Sequence, residues 1–291
     1  MSDPVVELAW DIRCDTGESC TWDARHRRVL FCDIPDGVIH AFGVDDGAQQ
    51  TWHFGEPVAS FGLCRSGRWV VALRDRVILF DPTHHLRSDL TGKLDQPDHV
   101  RLNDGKVGPD GCFWVGGLDQ NRPKTADGAL WRIAPDGRAD RKADGYMTAN
   151  GLAWTPDGTK MFHTDTRPGR IDLWDFAPAT GVIANRRAIA TIADADGRPD
   201  GGATDAEGNY WSAGSSAACL NKFAPSGALL QKLSLPVPGP SMPCFADDFV
   251  YVTTLRGGKP ADVLAAHPTM GGLFRLRAPV AGSKVALFAD T

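Results

Sequence analysis

The stretch Ala149-Asn150-Gly151-Leu152-Ala153-Trp154-Thr155-Pro156-Asp157-Gly158-Thr159-Lys160-Met161-Phe162 decides the fold. A short run ending in Trp154 meets a Pro-Asp-Gly turn, and a second run of apolar and aromatic residues follows. Proline sets the first turn dihedral and glycine tolerates the last, so the segment reads as two strands joined tightly. The same unit recurs on both sides. Thr21-Trp22 precedes Val29-Leu30-Phe31, Leu63-Cys64 precedes Trp69-Val70-Val71, and Lys106-Val107 precedes Cys112-Phe113-Trp114. Downstream, Ala203-Thr204 precedes Asn209-Tyr210-Trp211, and Cys244-Phe245 precedes Phe249-Val250-Tyr251. A third strand usually follows, as at 128–133 and 272–276. Further Pro-Asp-Gly turn signals stand at 35–37, 109–111, 135–137 and 199–201.

Units spaced by about 40–50 residues match four-stranded propeller blades. Six of them fill the 291 residues. The sequence therefore predicts an all-β chain: one six-bladed β-propeller domain over 1–291 with a central channel. An open strand edge invites aggregation, so the last blade must be closed. Residues 5–10 and 285–288 are the candidates to close it together.

Composition is that of an ordinary water-soluble domain, with 42% hydrophobic and 23% charged residues. The net charge of −5 and the lack of a basic run argue against nucleic acid as a partner. No apolar stretch reaches membrane-spanning length, and the acidic start lacks the features of a signal peptide. A cytoplasmic protein is expected, as a monomer or small homo-oligomer. Seven cysteines occur without a CxxC pair. This fits reduced, buried thiols better than a structural zinc site.

Innermost strands of a propeller line its channel, and residues near their starts converge at one mouth. The residue four places before the matched point of each repeat is Glu18, Ser60, Asn103, Asn150, Asp200 or Ser241. All six are polar and can present an oxygen. Carboxylates and carboxamides facing one point are hard donors, suited to one divalent ion: Ca, Mg or Mn, or a catalytic Zn or Fe(II).

Several segments carry a further likeness. Gly17-Glu18, Arg101-Leu102-Asn103-Asp104-Gly105-Lys106, Asn150-Gly151-Leu152 and Pro199-Asp200-Gly201, with His163-Thr164-Asp165-Thr166, stand in the order and spacing of a known family. In these motifs the chain resembles the gluconolactonases, also called the senescence marker protein-30 or regucalcin family, most of all the bacterial sugar lactonases. The resemblance implies a propeller with one divalent ion held by Glu18, Asn150 and Asp200. It implies substrate contacts from Arg101 and Asn103. Two departures lie beside the ligands: Ser19-Cys20 replaces the usual glycine and small residue, and Gly202 follows Pro-Asp-Gly. The acidic lid residue of some members has Asp119 as its nearest candidate.

The expected function is metal-dependent opening of a sugar lactone to the sugar acid, with a small-molecule lactone as partner and neither nucleic acid nor membrane. Asp200 would serve as both ligand and general base. Asp104, either a site acid or a turn residue, and His163 and His99 are the neighbouring proton acceptors, the histidines more readily read as structural. Trp22 and Trp154 read as packing residues. A calcium- or ligand-binding regulatory propeller, or a metal-dependent esterase or phosphotriesterase, are the competing functions.

Overall fold

The computed structural model describes residues 4–291, and it forms six four-stranded antiparallel sheets arranged as blades of a propeller. Blades one to five run outward in chain order, spanning 17–53, 60–89, 100–146, 149–191 and 199–234. Their inner strands are Gly17–Asp23, Ser60–Leu63, Val100–Val107, Ala149–Trp154 and Pro199–Thr204. In the sixth blade Pro240–Ala246, Phe249–Thr254 and Leu273–Arg277 come from the C-terminal part, and Val6–Trp10 supplies the outer strand. The ring is thus closed by pairing the first strand of the chain with the last, which leaves no blade short of a strand.

The predicted closure by 285–288 is not what the structure shows. That segment forms no strand in the sixth blade. It crosses beneath the ring instead: Ser283 N–H donates to Thr204 O at 3.0 Å in the fifth blade, and Phe288 N–H donates to Leu63 O at 2.8 Å in the second. Phe288 is fully buried between the second and third blades, and that burial outcompetes an exposed outer-strand position.

Six hydrophobic clusters sit one between each pair of neighbouring blades. Successive strand side chains point to opposite faces. Each blade except at its rim is covered on both faces, so its strands are apolar nearly throughout. Trp69 of blade two meets Trp52 of blade one edge-on at 4.8 Å, and Phe162 of blade four stacks on Tyr210 of blade five at 4.7 Å. Trp154 packs against Trp114 of the preceding blade, as expected. The middle of the ring is left free of core, which is what permits a channel. All seven cysteines are buried and unbridged.

Candidate active site

The six expected positions all fall near the starts of inner strands and all are buried. Their presentation depends on a local fault in the ladder. Five of the six inner strands lose register at or just past the site position, between Glu18 and Thr21, Leu102 and Gly105, Asn150 and Ala153, Pro199 and Gly202, and Pro240 and Met242. An extra residue at such a bulge bends the strand and re-aims a side chain. The second blade, with Ser60, pairs regularly throughout.

Backbone conformation accompanies the bulges. Gly151 has φ of 63°, and Ser19, at the place of the family glycine, has φ of 55°. A side chain there costs about 1 kcal/mol or more. Pro199-Asp200-Gly201 is strand, not turn. Its glycines answer to space: a Cβ on Gly201 would lie 2.6 Å from Ser241 O, and one on Gly202 would lie 2.2 Å from the Tyr210 hydroxyl.

Glu18, Arg101, Asn103, Asn150 and Asp200 line one cavity of about 1090 Å³ at this mouth. Ser60 and Ser241 do not open onto it. Ser241 is turned into the wall, where its hydroxyl bonds Thr253 Oγ1 at 2.9 Å. Asn150 is the hub: its Nδ2 donates to Asp200 Oδ1 and to Thr166 Oγ1, both at 2.7 Å, and its Oδ1 accepts from Asn103 Nδ2 at 2.9 Å. Asn103 also donates to Ala149 O at 3.1 Å. Both its amide protons are thereby used, and its Oδ1 is the atom it can offer a ligand. Arg101 donates from Nη1 to Leu102 O at 2.8 Å.

Burial, reinforced by Asp200 and Asp104, pushes the Glu18 carboxyl well above its usual range. Burial and then Asp104 push Asp200 up to about 7. Two carboxylates buried together are costly unless a cation compensates them. The Lys106 charge partly opposes that shift at Glu18, but its Nζ donates to Gly202 O at 2.6 Å and makes no ion pair with Glu18. A carboxamide exchanges oxygen and nitrogen by a half-turn, so Asn150 can present an oxygen beside Asp200. Two uncompensated carboxylates and one carboxamide make a hard, oxygen-rich donor set that fits a divalent cation.

None of the neighbouring acids and histidines lines the cavity. Asp104 is in a strand rather than a turn, below the cavity wall, and accepts from Leu152 N–H at 3.2 Å. His163 packs on Tyr146 at 4.6 Å between ring centres. Burial, then Arg186 and Arg170, lowers it to about 3, so it is an uncharged core residue. Asp119 is no lid. It is fully buried and accepts from the backbone N–H groups of Asn121, Thr125 and Ala126, anchoring the loop that follows it. His99 and Asp127 join it in a compact cluster outside the mouth, with His99 Nε2 2.8 Å from Asp127.

The sequence reading missed a group of cations around the mouth: Arg122, Lys124, Arg167, Arg198 and Lys259. They stand at or beyond strand ends, outside the repeat that located the other residues.

Comparison with known proteins shows the family and the fold. The SMP-30/Gluconolactonase/LRE-like region matches residues 16–256. A 6-deoxy-6-sulfogluconolactonase of Pseudomonas putida is 34% identical over 277 residues, 94% of either chain. An L-arabinolactonase of Azospirillum brasilense is 31% identical, covering 98% of this chain and 95% of its own. Among solved structures, a regucalcin of Agrobacterium tumefaciens shares the fold with a TM-score of 0.90 at 20% identity, covering 98% of this chain and 97% of that one. A match over most of the length, including all six inner strands, makes this chain a member of the SMP-30/gluconolactonase/LRE-like family.

Proposed function

We propose that the protein hydrolyses a sugar lactone to the sugar acid with one divalent ion held by Glu18, Asn150 and Asp200. The observation that carries this reading is the pair of buried carboxylates, Glu18 and Asp200, set with a carboxamide at an open polar mouth and lacking an ion-pair partner. The relatives named for sulfogluconolactone and arabinolactone support lactone opening as the reaction class.

A lactone is a cyclic ester, so hydrolysis needs a polarised carbonyl and an activated water. A bound divalent ion would supply Lewis acidity and lower the pKa of water. Asp200 accepts the proton of the attacking water through the oxygen turned away from the ion. Arg101 donates to the sugar, and Asn103 accepts from a sugar hydroxyl through Oδ1. The Thr166 hydroxyl, which can donate or accept, holds the Asn150 carboxamide.

The identity of the ion follows from reconstitution. Purified protein should turn over aldonolactones, lose activity on chelation, and recover it with a single type of divalent ion per chain. Calcium binding with no lactone turnover under any ion would refute the enzymatic reading in favour of a regulatory one.

A further inference from the structure

The chain carries a net charge of −5, yet the mouth cavity is lined by six cationic side chains against two carboxylates, Glu18 and Asp200. Those two acids are the residues read as holding a divalent ion, and an ion of that charge consumes them. Among the described residues only one of the six cations, Arg198, has an ion-pair partner. Arg198 has Asp194 at 3.3 Å, and Lys124 donates to the backbone oxygen of Asp119. Arg101 is bound to a backbone carbonyl. Elsewhere in the molecule partly buried arginines are matched: Arg132 with Asp110 at 2.8 Å and Arg186 with Asp172 at 2.7 Å.

The cations also sit to one side. Arg101 is on the inner strand of blade three, Arg122 and Lys124 on the loop after Phe113–Asp119 of that blade, and Arg167 on the turn after Lys160–Asp165 of blade four. Glu18 is on blade one, across the channel. Burial and then Arg167 make Lys124 easier to deprotonate; the Asp119 carboxylate opposes this, and Arg101 and Arg122 add to it, so the four cations share one field. Like charges gathered at a partly dry wall are unfavourable unless an anion joins them. A neutral sugar ring calls for hydrogen-bond donors, not for four guanidinium and ammonium groups.

We propose that the lactone opened here carries an anionic group, a phosphate, sulfonate or carboxylate, remote from its carbonyl, and that Arg122, Lys124 and Arg167 receive it above Arg101. This rests on the lactonase reading and narrows it to a substrate class. Arginine forks suit the oxygens of such groups, and Lys124 adds a point charge. The carbonyl is then directed toward Glu18 and Asp200 while the charged end lies against blades three and four.

The test compares gluconolactone with the same ring bearing a terminal phosphate, sulfonate or carboxylate, in the metal-loaded protein and in a Lys124→Gln/Arg167→Gln variant. One of the anionic lactones should exceed the neutral one by about tenfold or more in kcat/KM, mainly through KM. The advantage should shrink as salt rises, and the double variant should cut the anionic-to-neutral ratio by about tenfold. Which of the three wins identifies the group. A neutral lactone turned over as well as every anionic one, or a preference indifferent to the double substitution, overturns the proposal while leaving lactone hydrolysis standing. A second readout does not depend on turnover: calorimetric binding of glucitol against its terminal phosphate. Tighter binding of the phosphate, lost in the double variant, supports the anion site even if no lactone is hydrolysed, which would refute the parent reading alone. Equal binding of the two polyols overturns the anion site.

Discussion

The two ends of the channel are built from the same six strands and are opposite in character. Where those strands begin, ladder bulges turn Glu18, Asn103, Asn150 and Asp200 toward a wide cavity rimmed by cations. Where they end, Trp22, Leu63, Trp154 and Phe245 line smaller cavities of about 520 and 460 Å³, and the C-terminal segment runs across them. One end keeps uncompensated charge; the other seals apolar surface. The contrast shows that in a ring of repeats, strand pairing sets the frame, while local departures from it decide which end does chemistry. Stability and activity should therefore separate by end.

Glu18→Gln is expected to have the largest effect. It should lower lactone turnover by at least about a hundredfold and weaken ion binding. In chelator near pH 7 it should make the protein more stable, because a carboxyl whose folded pKa is raised above its unfolded value destabilises the fold once ionised, and that penalty disappears as pH falls. A drop in thermal stability of the chelated variant would break the comparison.

Phe288→Ala addresses the other end. Removing a fully buried aromatic should cost about 3–5 kcal/mol by denaturant titration. The turnover of the molecules that remain folded should be unaffected. If kcat falls with stability intact, the lower segment communicates with the mouth and the two ends are not independent.

Ser19→Gly gives the smallest change. It relieves the left-handed residue beside Glu18 and should stabilise by about 0.5–1 kcal/mol, a rise of roughly 2 °C in Tm for a chain of this size. No gain would mean that the Ser19 side chain supplies a compensating contact.

How much of this could be read beforehand follows the same division. Strand repeats are periodic, so Trp22, Trp154 and their equivalents revealed six blades and placed Glu18, Asn150 and Asp200 at one mouth. Features off the repeat were not legible. The segment 285–288 is a short apolar run that reads as a strand, but only the ring shows that Phe288 fills a gap between blades two and three. Asp200 sits in a Pro-Asp-Gly that sequence rules assign to a turn; the bulge that keeps it in a strand depends on Tyr210 and Met242 of other strands. Ser60 and Asp119 look like site residues by spacing and charge, yet a regular ladder and a loop turn them away. Arg122, Lys124 and Arg167 are scattered on connections whose spacing carries no period.

The account stands most directly on Asp200→Asn, assayed for lactone hydrolysis at saturating divalent ion. Asparagine keeps one oxygen for the ion but cannot take a proton from water. The expected result is a loss of about 10²–10⁴-fold in kcat that no excess of ion restores, with folding intact and with Asn150→Ala, in contrast, recovering as the ion concentration rises. Full turnover by Asp200→Asn at saturating ion would contradict the assignment of Asp200 as the base.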